Sequence, residues 1–159
     1  IRLKGAGKVI VTDLLESRLE MARQMGADVT IRADDPDLMA KLLKETGPEG
    51  ADVAMEAVGV QSTIDLALNI TRKGGSLTLI GNVSPRVEFN LQSIVSREIT
   101  LYGVCATNEF PDVVELVAAG KINVDPFVSD YAHIKDGQAV FDRLYKGVPG
   151  NIRTVFVFD

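Results

Sequence analysis

Asp13 follows the apolar run Lys8-Val9-Ile10-Val11-Thr12 and precedes Leu14-Leu15. A carboxylate at the carboxyl end of a buried strand can accept hydrogen bonds from both hydroxyls of a ribose, and it would repel a 2′-phosphate. The same side chain can cap the helix that follows, and the two roles are compatible. Arg18, five residues on, could lie over an adenosine group. Its spacing alone favours a solvated ion pair with Glu16 or Glu20 instead.

Two further turns could line a ligand. Glu56-Ala57-Val58-Gly59 follows one apolar run and Gly81-Asn82 follows another. Glycine would let backbone approach a ligand closely, and it would equally serve an ordinary turn. Glu56 is the one acid expected near such a cleft, without being a catalytic base. Cys105, at the end of another run, reads as a small apolar filler. His133, just ahead of a helical pattern, reads as a surface or capping residue. No nucleophile–base pair and no metal motif is visible.

These residues are set by an alternation of short β-branched runs with longer helical patterns. Residues 8–12, 28–31, 51–56, 76–80 and 99–104 read as strands. Helices are expected over 16–25, from Asp35-Pro36 onward, over 61–71, as a short piece around Leu91-Ile94-Val95, and over 109–119. Gly47-Pro48-Glu49-Gly50 and Lys73-Gly74-Gly75 read as turns. Repeated strand–helix–strand units with short connections imply an α/β, doubly wound Rossmann-type fold with a parallel sheet. Past Gly120 the alternation breaks. Val124-Asp125-Pro126-Phe127 is irregular, 136–146 is a helix and 153–158 a terminal strand. The expected division is therefore a dinucleotide-binding domain over 1–121 and part of a second domain over 122–159.

Composition narrows the partners. The chain has 159 residues, 46% hydrophobic and 25% charged, with net charge −5. The absence of a basic stripe argues against nucleic acid or an anionic membrane as partner. One cysteine and one histidine exclude an internal disulfide and a Cys/His zinc site of the usual kind, and they fit a reducing, cytoplasmic setting. The start lacks both an initiating Met and the apolar segment of a signal peptide.

The sheet is expected to lack its first strand and Gly-rich loop. Ile1-Arg2-Leu3-Lys4 reads as the end of a helix closed by Gly5, and Gly5-Ala6-Gly7 precedes a strand where a phosphate loop would follow one. In the order 3-2-1-4-5-6 the absent strand belongs between 8–12 and 51–56, a gap of about 10 Å. That would strand two rows of backbone donors and acceptors, so independent folding is not expected.

Several stretches together resemble the medium-chain dehydrogenase/reductase family. They are Lys8 to Asp13 with Arg18-Leu19, Met25-Gly26-Ala27-Asp28, Met55-Glu56-Ala57-Val58-Gly59, Gly74-Gly75-Ser76-Leu77, Ile99-Thr100-Leu101-Tyr102-Gly103, Lys121-Ile122-Asn123-Val124 and Ala139-Val140-Phe141. More narrowly, the chain is similar to the zinc-dependent polyol (sorbitol-type) dehydrogenases, over the C-terminal portion of such enzymes.

The resemblance implies an NAD-dependent enzyme that transfers hydride from a secondary alcohol. Asp13 and Arg18 would hold the adenosine end. Val58, Gly59, Ile80, Gly81, Asn82, Val104, Cys105 and Ala106 would pass along the nicotinamide side. Zinc would polarise the alcohol, with ligands N-terminal to this segment and none within it. The fragment alone would be inactive. A homodimer or homotetramer would form through the edge strand 99–104, and the tail from 122 would return to the catalytic domain. One departure weighs against a polyol substrate: Cys105-Ala106-Thr107 replaces an Arg-Tyr pair common in polyol enzymes. The rivals are a zinc-free quinone or enone reductase of the same superfamily and a non-catalytic nucleotide-binding protein.

Overall fold

The computed structural model describes residues 1–105, 110–147 and 150–158. In chain order the elements are β1 (Ile10–Asp13), α1 (Glu16–Gln24), β2 (Val29–Arg32), α2 (Leu38–Thr46), β3 (Ala51–Glu56) and α3 (Gln61–Ile70). They continue with β4 (Thr71–Leu79), α4 (Leu91–Ser96), β5 (Thr100–Gly103), α5 (Phe110–Ala118), β6 (Asp130–His133), α6 (Gly137–Tyr145) and β7 (Thr154–Val157). Every strand pairing among the described residues is parallel, as the alternation requires. The chain divides into two compact units, residues 1–34 with 109–159 and residues 35–108. No helix among the described residues is long and apolar enough to cross a membrane.

In the first unit β1 pairs with β2 in register from Ile10↔Val29 to Asp13↔Arg32. Helix α1 lies on this pair and buries Leu19 to 1% exposure. It ends in a Schellman turn: Gly26 N–H donates to Arg23 O at 3.0 Å and Ala27 N–H to Ala22 O at 2.9 Å. Gly26 takes φ +92, which a side chain would strain. Strand β2 starts at Val29, one residue later than expected, and the Asp28 carboxylate just before it is occupied. It accepts from Val9 N–H at 2.6 Å and from the Arg2 guanidinium. Arg2 also donates to the carbonyls of Ala6 and Gly7, at 3.0 and 2.6 Å. Gly5-Ala6-Gly7 thus turns carbonyls toward a cation and leads into a strand, consistent with its not being a phosphate loop.

The tail contains a strand that the sequence pattern hides. Asp130-Tyr131-Ala132-His133 has no β-branched residue, yet it forms β6 and pairs with β7 from Asp130↔Thr154 to His133↔Val157. Helix α6 connects them and buries Val140, while Phe141 and Phe156 stack at a 6.2 Å centroid separation. His133 acts as the expected cap, its Nδ1 accepting from Lys135 N–H at 2.9 Å.

In the second unit β4 is central, between β3 and β5. Leu77, fully buried, anchors a core with Ala54, Ile64, Leu68 and Ile99. Strand β4 begins at Thr71, five residues before the expected start. Its register shifts from Ala51↔Thr71 to Val53↔Ser76, so the Lys73-Gly74-Gly75 turn is a bulge inside the strand. Gly74 there takes φ +67 and donates its N–H to Arg97 O at 2.8 Å. Arg97 in turn closes α3, donating to Leu68 O at 3.0 Å and Thr71 O at 2.9 Å. Asn90 caps α4 by accepting from Ser93 N–H at 3.0 Å.

The separate β1–β2 and β3–β4–β5 sheets each end on a strand with one partner among the described residues. Among the described residues strand β5 pairs only with β4, and all four of its residues are exposed.

Candidate functional site

Asp13 closes β1 but does not cap α1, whose N-cap is Leu15 with no side-chain cap bond; it makes an Asx turn ahead of the helix instead. Its Oδ1 accepts from Leu15 N–H at 2.9 Å, which sets the entry to α1. Its Oδ2 meets Nη1 of Arg18 at 3.5 Å, the limit of a useful contact. A carboxylate has roughly four acceptor positions, so Asp13 keeps acceptor capacity beyond these two contacts, and its side chain remains 23% exposed.

Arg18 does not take the partners that spacing favours. Glu16 and Glu20 both bind Arg23, at 2.8 and 2.7 Å. That clasp holds Arg23 above its ordinary pKa, chiefly through its bond to Glu16. The bond from Arg23 likewise lowers Glu20. Arg18 is left on Asp13, its side chain 61% exposed. The structure therefore brings Asp13 and Arg18 together.

Beside them stands a pair that sequence reasoning overlooked. Arg32 is the register partner of Asp13, and its guanidinium is clasped by Asp34 at 2.8 and 2.6 Å. The signal was present as Arg32-Ala33-Asp34 at the end of an expected strand. Reading that strand as ending at Ile31 discarded it.

In the other unit the loops after β3 and β4 are locked together. Ile80 and Gly81 N–H donate to Glu56 O at 2.8 and 3.1 Å, and Ser84 N–H to Gly59 O at 2.8 Å. The Glu56 side chain is 3% exposed and is consumed by its own loop. It accepts from Val58 N–H, Gly59 N–H and Thr63 Oγ1 at 2.7–2.8 Å. Gly59 and Gly81 need their missing side chains chiefly for each other. A Cβ on Gly81 would sit 2.2 Å from Gly59 N, and one on Gly59 would sit 2.3 Å from Asn82 N.

Val58, Ile80 and Val104 stand at the carboxyl ends of β3, β4 and β5, and each is close to half exposed. They form an apolar ledge at the end of three adjacent strands, with Asn82 exposed next to it. Cys105 is exposed, so it is not the packed filler its composition implies. Ala106 lies outside the described residues. Among the described residues no group of three His, Cys, Asp or Glu could hold a metal. No zinc-dependent step follows from the described residues.

Known proteins share this fold. Residues 1–119 match the model of the zinc-binding dehydrogenase family. Sorbitol dehydrogenase of Bacillus subtilis is 33% identical over 141 residues, 87% of this chain and 40% of that protein. D-xylulose reductase of Saccharomyces cerevisiae is 28% identical over 157 residues, 95% of this chain and 44% of that one. The solved structure of an Escherichia coli oxidoreductase/dehydrogenase of unknown specificity superposes with TM-score 0.91 at 29% identity, over 99% of this chain and 46% of that one. The chain thus spans less than half the length of these relatives. Its parallel strands and helices match their Rossmann-like cofactor domain. By family model, sequence and fold alike, the chain belongs to the zinc-binding dehydrogenases.

Proposed function

We propose that this chain is the NAD-binding part of an alcohol or polyol dehydrogenase. The observation that carries this reading is Asp13: a carboxylate at the carboxyl end of β1 with acceptor capacity to spare and Arg18 beside it. Two neighbouring ribose hydroxyls can donate to that carboxylate, and Arg18 limits the cost of holding the charge there. A 2′-phosphate would meet the same carboxylate as a like charge, which favours NAD over NADP.

The ledge of Val58, Ile80 and Val104 suits one face of a flat nicotinamide ring, and Gly81 and Asn82 offer backbone close by. A bound nicotinamide supplies the hydride acceptor for alcohol oxidation. The residues of this chain bind and orient it, and the apolar ledge keeps water from the face it covers. The named activities of the sorbitol and xylulose relatives favour a secondary alcohol of the polyol kind. The exposed edge of β5, with Leu101 and Tyr102 open to solvent, suits pairing of two copies of the chain.

The test uses the full-length protein. NADH fluorescence titration should show binding, NADPH should bind more weakly, and sorbitol or a related secondary alcohol should drive NADH formation. Asp13→Asn should weaken NADH binding about tenfold or more. A parent protein that prefers NADPH, or an Asp13→Asn variant with unchanged NADH affinity, would sink the reading.

A further inference from the structure

The ladder between β1 and β2 sets Arg32 directly beside Asp13. Paired residues of neighbouring strands project from the same face of the sheet. Arg32 nevertheless turns to Asp34, with Nε on one carboxylate oxygen at 2.8 Å and Nη2 on the other at 2.6 Å. Arg18 lies against Asp13 itself, at 3.5 Å. Two guanidinium groups therefore stand within a side chain's length of the end of β1, each facing a carboxylate. The nearby Glu16 and Glu20 are clasped by Arg23 and together carry one more negative charge than it offsets.

Phosphorylation of the ribose 2′-hydroxyl would bring a near-dianion to this spot. Its natural partners would be Arg18 and Arg32, and planar bidentate guanidinium is the group best shaped for phosphate. We propose that Asp34 is a second specificity-determining residue for the cofactor. By clasping Arg32, it withholds from a 2′-phosphate the guanidinium on the neighbouring strand, and its own charge repels that phosphate. Discrimination between the two dinucleotides is then shared by Asp13 and Asp34. This inference rests on the reading of Asp13 as the ribose acceptor. Both members of the Arg32–Asp34 pair are about half exposed, so solvent screens them and the effect is modest.

The experiment measures dissociation constants of NADH and NADPH for the full-length protein at low ionic strength. Asp34→Asn should lower the ratio of the NADPH constant to the NADH constant by about 3- to 10-fold. Adding Arg32→Ala to that variant should restore the parent ratio, because the freed guanidinium is gone. Asp28→Asn removes the same charge from a comparable exposed pair with Arg2. It should leave the ratio within about twofold, since Asp28 precedes the amino end of β2, at the opposite end of the β1–β2 ladder from Asp13 and Arg32. An unchanged ratio in Asp34→Asn, an equal fall in Asp28→Asn, or a fall that survives Arg32→Ala overturns the proposal while leaving NAD binding intact. A parent protein that binds neither dinucleotide overturns the reading of Asp13, and this inference with it.

Discussion

Gly59 and Gly81 occupy each other's side-chain space: a Cβ on Gly81 would come within 2.2 Å of Gly59 N and of Val58 C. Both contacts are with backbone, which has no rotamer to give way. Gly81→Ala must therefore push apart the loops after β3 and β4, at a cost of about 2 kcal/mol or more. Gly103→Ala meets nothing within 4 Å and should be close to neutral. Thermal unfolding of the two variants side by side checks this. Equal melting temperatures would mean that the loops are not locked.

The same pair shows where sequence reading stops. Gly59 and Gly81 stood out because they follow apolar runs, and the expected reason was approach to a ligand. The partner is another glycine 22 residues away, and no local pattern carries that distance. The strands β1 and β2 were legible because Ile10-Val11-Thr12 and Val29-Thr30-Ile31 are short β-branched runs, and β3 and β5 were legible from their place in the strand–helix alternation. The early part of β4 was not, since Gly74-Gly75 signals a turn and only pairing with β3 turns it into a bulge. Strand β6 was hidden because Asp130 and His133 carry no strand propensity, and its pairing with β7 overrides that. Asp13 was legible from position alone. Its release of Arg18 from Glu16 and Glu20 depended on Arg23 reaching both acids, which spacing alone leaves open.

Glu56 should prove structural before anything else. Its carboxyl oxygens satisfy Val58 N–H, Gly59 N–H and Thr63 Oγ1 in a site closed to water. In Glu56→Gln one oxygen becomes an amide that faces the Gly59 N–H now bonded at 3.0 Å, donor against donor. A loss of about 1–3 kcal/mol is expected, and Glu56→Ala, which strands the Val58 and Gly59 N–H groups while Thr63 Oγ1 can turn to Val60 O at 3.0 Å, should lose more. Urea unfolding gives both values. Full stability in Glu56→Ala would show that water replaces the carboxylate.

Arg97 ties the end of α3 to the bulge of β4. Its guanidinium serves Leu68 O, Thr71 O and Ser93 Oγ, and its own carbonyl accepts from Gly74 N–H. Arg97→Ala should cost about 1–3 kcal/mol, because carbonyls at the helix end lose a charged donor. Arg97→Lys should recover only part of it, as a single ammonium does not reproduce the planar fork. Full recovery with lysine, seen as an unchanged urea midpoint, would reduce the role to charge alone.

Asp28 gives the protein an acid-sensitive tie. The Val9 N–H bond, and after it the Arg2 guanidinium, hold its carboxyl below the ordinary aspartate range. A group lowered in the folded state stabilises it above the unfolded pKa, about 3.9 for aspartate. That contribution is lost as pH falls through the lower folded value. The melting temperature of the parent should therefore exceed that of Asp28→Asn by a constant margin from about pH 5 to 8, and the margin should shrink below about pH 4. Asparagine still offers an oxygen to Val9 N–H, so what disappears with acid is the ionic part shared with Arg2. A margin that is the same at pH 3 as at pH 7 would mean that the charge on Asp28 contributes nothing, and that the hydrogen bond to Val9 alone fixes the start of β2.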